Sequence, residues 1–217
     1  MVGMGKVSWR MIGGEIAAAG TALLSMPLRW LVPDEHLDRT APDAPPVVFV
    51  HGLLGDPTNF MALRRALAGR SFASFAYRPR LHFARLGPPL AELIEEVCVA
   101  TGADQVDVVG HSLGGLVARH LVDSGGGCRV RRLVTLGAPY YLDRFSRCEL
   151  AIFAAHDPLV APPAAACAPA GRMRVISDCG HLGLLYHPTV LHEVAVYLGR
   201  RARTVGPATR AVGCEAA

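Results

Sequence analysis

Short, wholly apolar runs alternate with longer stretches of helical period along most of the chain. "VVFV" (47–50) is apolar at every position, which suits a strand covered on both faces. A helical signature follows over 57–69, with Asp56 as N-cap, Pro57 at the first helical position and Gly69 beyond the end. The same alternation predicts strands at "SFASFAY" (71–77), "QVDVVG" (105–110), "VRRLVTLG" (130–137), "ELAIFAA" (149–155) and "RMRVIS" (172–177). Helices are expected over 88–101, 112–123 and 188–200. Strands separated by helices in this way build parallel βαβ units. The expected fold class is therefore α/β, a three-layer sandwich around a mostly parallel sheet of about six strands.

The two ends fall outside this pattern. Lys6 and Arg10 precede the apolar run Ile16 to Leu28, and "TAPDAPP" (40–46) reads as a stiff linker. The apolar run is too short to cross a bilayer comfortably. Three readings stand: a packing or membrane-surface helix, an uncleaved anchor, and an exported leader. Glu15 at the head of the run, Pro27 and Arg29 at its close, and the lack of a small-x-small cleavage site weigh against the leader. A membrane-associated or cytoplasmic location is thus favoured over export, with any peripheral membrane contact running through residues 11–32. The chain divides into 1–45 (apolar helix and Pro-rich linker), 46–201 (the α/β domain) and 202–217 (mobile tail).

Composition narrows the picture a little. With 217 residues, 51% hydrophobic and 18% charged, the chain suits one α/β domain and is not disordered. The net charge of +4 is modest. Arginines cluster at 129–132 and 200–203 without interleaved aromatics, which implies solvated surface, or else a weak preference for anionic surfaces, and no nucleic-acid partner. The six cysteines show no C-x-x-C or zinc spacing. Cys98 sits in an apolar helical pattern and is expected to be buried, while one bridge among Cys148, Cys167 and Cys179 is conceivable.

Chemistry concentrates at "VDVVGHSLGGLV" (106–117), where a buried strand meets a helix at Gly-x-Ser-x-Gly. Gly110 and Gly114 leave room for the crossing backbones, His111 is the variable residue, and Ser112 is left at the apex with its hydroxyl exposed. A serine needs a base, and the base needs an orienting acid. Loops after parallel strands converge at one sheet edge, so both should lie just past later strands. Asp157 follows "AIFAA" and His181 follows "RVIS". Asp143, after the fourth strand, is the rival acid. Asp178 lies too near His181 to orient it from behind, and His120, His156, His187 and His192 read as surface or packing residues. An oxyanion formed during acyl transfer requires backbone N–H donors. Leu113, directly after the serine, and Leu53, after the strand ending in His51-Gly52, are the candidates. Leu54, Phe60, Tyr140, Leu159 and Leu182 are the candidates for substrate contacts near the mouth, and several of the apolar ones read equally well as core.

Together "VVFVHGLLGDPTNF", "ATGADQVDVVGHSLGGL", "LVTLGAPYYLD", "AIFAAHDPLV" and "GHLGLLYHPTV" resemble the α/β-hydrolases, and among them the compact, lidless bacterial lipases and esterases. The resemblance spans about residues 47–198. It implies a serine carboxylic ester hydrolase with the triad Ser112, Asp157 and His181, a small-molecule or lipid ester as substrate, and no metal or organic cofactor. The short connection between Gly137 and Glu149 leaves no room for a lid, which argues for short to medium acyl chains. The same triad also serves acyl transfer and thioester or amide cleavage. A non-catalytic hydrolase-fold module is the reading from a different class.

Overall fold

The apolar runs pair side by side into one sheet. The structure, a computed structural model, describes residues 9–25, 34–38, 44–53, 55–77, 82–139, 148–163 and 172–199. In chain order these form α1 (Trp9–Ser25), β1 (Glu35–His36), β2 (Val47–Val50), α2 (Met61–Ala66), β3 (Phe72–Phe75), α3 (Gly87–Thr101) and β4 (Val106–His111). There follow α4 (Leu113–Asp123), β5 (Val130–Leu136), β6 (Glu149–Ala154), β7 (Met173–Ile176) and α5 (Pro188–Gly199). The sheet order is β1-β3-β2-β4-β5-β6-β7, and every pairing is parallel except β1 with β3. All six expected strands are present. The seventh, β1, is a two-residue edge strand too short to leave any alternation. The expected helix 57–69 is split into a 3-10 turn, Pro57–Phe60, and α2. Asp56 caps it as anticipated, accepting from the Thr58 N–H at 2.7 Å. Among the described residues no helix is long and apolar enough to cross a membrane.

Burial on both sheet faces explains the unbroken apolar strands. Val47 and Phe49 of β2 join Leu63, Val190, Val194 and Leu198 beneath α2 and α5. Val48 and Val50 point the other way, into Leu90, Ile94, Val117 and Leu121 of α3 and α4. Each such side chain contributes about 1.5–3 kcal/mol on burial.

The polar exceptions are paired. Arg119 of α4 and Glu149 of β6 are buried together, with Nη2 2.6 Å from Oε1; Thr135 Oγ1 donates to the same oxygen at 2.6 Å. Asp107 on β4 accepts from Arg70 and from Arg131. This corrects the reading of the 129–132 arginines as solvated surface. Arg131 and Arg132 bond the carbonyls that end α5, at Tyr197 and Leu198; only Arg129 lies in the open, against Glu95. The arginines at 200–203 lie outside the described residues. Cys98, Cys148 and Cys179 are free thiols, so Cys148 and Cys179 are not bridged; Cys167 is outside the described residues.

The topology fixes where a site can form. The chain runs from β2 outward to β3, then returns to the far side of β2 as β4. Strand order reverses between β2 and β4, and the crevice beyond their carboxyl ends is the natural binding position of an open parallel sheet.

Candidate active site

Ser112 stands at that reversal, between the end of β4 and the start of α4. Its backbone has φ 52° and ψ −122°, and it is the one non-glycine residue with positive φ among the described residues. Such a conformation costs about 1–3 kcal/mol and persists only where the surroundings enforce it. Neighbouring backbones do so here. A Cβ on Gly110 would lie 2.6 Å from the Gly115 Cα, and one on Gly114 would strike the carbonyl oxygens of Val50 and His51. The Ser112 N–H is held by the Leu136 carbonyl at 2.8 Å.

Two further segments reach the same corner. His181, in the loop after β7, meets Asp157, in the loop after β6, with Nδ1 2.6 Å from Oδ2. The Asp157 side chain has no solvent exposure, and its other oxygen accepts the N–H groups of Leu159 and Val160 at 2.8 and 2.9 Å. With Nδ1–H donated to the carboxylate, Nε2 is the ring nitrogen left to take a proton. Gly137 locates the pair relative to the serine. It follows Leu136, whose carbonyl holds Ser112, and a Cβ on it would lie 3.2 Å from His181 Nδ1 and 3.3 Å from Asp157 Oδ2.

The oxyanion candidates border the serine. Leu113 opens α4, whose first N–H groups and positive dipole end favour negative charge. Leu53 follows Gly52, where a Cβ would lie 3.1 Å from Ser112 Cβ. His51 shapes this loop: its ring stacks on Tyr77 at 4.5 Å, and the Tyr77 hydroxyl donates to its carbonyl at 2.6 Å.

His111 does more than pack. Its Nε2 lies 3.2 Å from the His181 carbonyl and its ring centroid 4.8 Å from that of His181. Burial, reinforced by the charge of His181, lowers its pKa to about 3, so it is neutral near pH 7 and Nε2–H donates to that carbonyl. On the far side of the His181 loop stands Glu15 of α1. Its carboxylate accepts the Leu182 N–H at 2.6 Å and the Gly183 N–H at 3.0 Å. Among the described residues no group of three His, Cys, Asp or Glu side chains is arranged to hold a metal ion.

Residues 45–153 match the family described as alpha/beta hydrolase fold, a span that takes in the Gly52 loop, Ser112 and all but the last residue of β6. The chain belongs to the alpha/beta hydrolase fold family. Solved structures agree at the level of fold. A thermophilic esterase from Thermogutta terrifontis superposes with a TM-score of 0.58 at 16% identity, over 73% of this chain and 90% of that one. A predicted CIB-like hydrolase from Thermoplasma acidophilum gives 0.57 at 14%, over 76% and 89%. An aryl esterase, assigned putatively, from Burkholderia cenocepacia gives 0.56 at 16%, over 76% and 94%.

The remaining expected residues separate into three groups. Leu53 and Leu159 are exposed, at 53% and 74%, and Leu182 is half-buried beside His181. Phe60 is a correction: it is 1% exposed and stacked on Phe49 at 4.9 Å, so it belongs to the core and not to the mouth. It closes the 3-10 turn Pro57–Phe60 with its ring inward, which an apolar pattern alone does not disclose. Leu54, Tyr140 and the rival acid Asp143 lie outside the described residues. Asp178 is turned away, 3.4 Å from His187 Nε2, and His120 packs edge-on against Phe83.

Proposed function

We propose that the protein is a serine carboxylic ester hydrolase working through an acyl-enzyme on Ser112. The observation that carries this reading is the 2.6 Å Asp157–His181 pair, at the corner where Ser112 is held at positive φ. In the proposed reaction Ser112 Oγ attacks the ester carbonyl while His181 Nε2 takes its proton. The oxyanion rests on the N–H groups of Leu113 and Leu53. His181 returns the proton to the alkoxide as the C–O bond breaks and the alcohol leaves. Water then attacks the acyl-enzyme, giving its proton to His181, and the acid departs as Ser112 regains its hydrogen. Asp157 stays ionised throughout and stabilises the imidazolium.

Short to medium acyl esters fit best. The described rim is open, with Leu53 and Leu159 exposed rather than closing over a long chain. Hydrolysis of p-nitrophenyl esters of increasing chain length tests both parts. Turnover should peak at short to medium chains and fall by a factor on the order of 10⁴ or more in Ser112→Ala. Wild-type turnover in that variant would defeat the proposal.

A further inference from the structure

The peptide unit joining His181 to Leu182 is held at both ends. Its carbonyl lies 3.2 Å from His111 Nε2, and its N–H donates to Glu15 at 2.6 Å. His111 adjoins the serine, whereas Glu15 comes from α1. The next N–H, of Gly183, also donates to Glu15, at 3.0 Å. The glycines around the base make room for this carboxylate. A Cβ on Gly180 would lie 2.5 Å from Glu15 Oε2, and one on Gly183 3.0 Å from it. A histidine ring swings about its own Cα, so fixing the following peptide leaves only side-chain torsions to aim Nε2. Asp157 fixes those from the other side at 2.6 Å.

Resting on the serine-hydrolase reading, we propose that Glu15 is a positioning residue for His181, which makes α1 a working part of the active site. The outward face of α1 takes no part: Ile16, next to Glu15, is 68% exposed. A carboxylate accepting two consecutive N–H groups sets both peptide planes. Glu15→Gln keeps the shape but offers one acceptor oxygen, and its NH₂ opposes the second N–H. Glu15→Ala removes both.

The test compares wild type, Glu15→Gln, Glu15→Ala and Ile16→Ser on a soluble p-nitrophenyl ester, with rates expressed per folded molecule. The low-field NMR resonance of His181 Nδ1–H is recorded alongside. Expected are a fall in kcat of about 10-fold or more for Glu15→Ala, a smaller fall for Glu15→Gln, KM within about twofold, and unchanged rates for Ile16→Ser. The low-field resonance should broaden in the order of the kcat losses. Unchanged kcat and resonance in folded Glu15 variants would overturn the proposal. So would losses that merely track the unfolded fraction, or failure of both variants to fold, since Glu15 would then serve stability alone. A wild-type protein that neither turns over esters nor reacts with a fluorophosphonate would instead fail the serine-hydrolase reading.

Discussion

Replacing Arg119 by methionine strips a buried carboxylate of its guanidinium. Arg119 lies on the helix behind Ser112, and Glu149 lies on the strand leading to Asp157, so the pair ties two parts of the site together. The Arg119 side chain is 3% exposed and that of Glu149 is not exposed at all. Arg119 Nε stands 3.1 Å from both carboxylate oxygens, Nη2 donates to Thr135 at 3.2 Å, and Nη1 donates to the Pro139 carbonyl at 2.9 Å. Methionine fills much of the volume and supplies none of these donors. Breaking a buried pair from one side costs about 3–5 kcal/mol, a large share of the roughly 5–15 kcal/mol typical of a domain. Removing both charges in Arg119→Met/Glu149→Met strands no ion. Its cost should shrink to about 1–2 kcal/mol, mainly the partners lost by Thr135 and Pro139. Urea unfolding followed by circular dichroism of the two single variants and the double variant measures this directly. The reasoning fails if Arg119→Met stays within about 1 kcal/mol of wild type, or if the double variant loses as much as the two singles together.

Two further changes probe the site's support. His111 has a pKa near 3 when folded and 6.5 as a free side chain, so between these values the unfolded chain binds the extra proton. Its contribution is complete above pH 6.5 and is lost as pH falls toward 3, at about 1.4 kcal/mol per unit. Between pH 7 and pH 5, wild type should lose about 2 kcal/mol more than His111→Gln in urea titrations; equal losses would count against the assigned burial. In Gly114→Ala the new methyl meets the backbone oxygens of Val50 and His51, so β2 and its loop must retreat from the serine. Turnover per folded molecule should drop on the order of 100-fold, and wild-type turnover would show that the close approach is not needed.

The layers and much of the candidate site were legible in local pattern because the relevant signals are short-range. "VVFV" announces a strand covered on both faces, and glycines two residues either side of Ser112 announce a tight strand-to-helix turn. Asp157 and His181 were legible because parallel strands deliver successive loops to one edge. What stayed hidden depends on distant partners. Arg131 finds Asp107 across 24 residues and the Leu198 carbonyl across 67, so a cluster of like charges conceals a structural role. Glu15 reaches Leu182 across 167 residues, and in sequence it only stands at the head of an apolar run. Phe60 reads in sequence as either mouth or core, because apolarity does not tell the two apart when a 3-10 turn sets the ring's direction.

In the proposed mechanism the hydroxyl of Ser112 is made nucleophilic by His181. Reaction with a fluorophosphonate, followed by peptide mass mapping and by rate measurement in His181→Ala, tests it most directly. The account predicts a single adduct on Ser112 that forms far more slowly without the imidazole. An adduct on another residue, or equal labelling rates with and without His181, would contradict it.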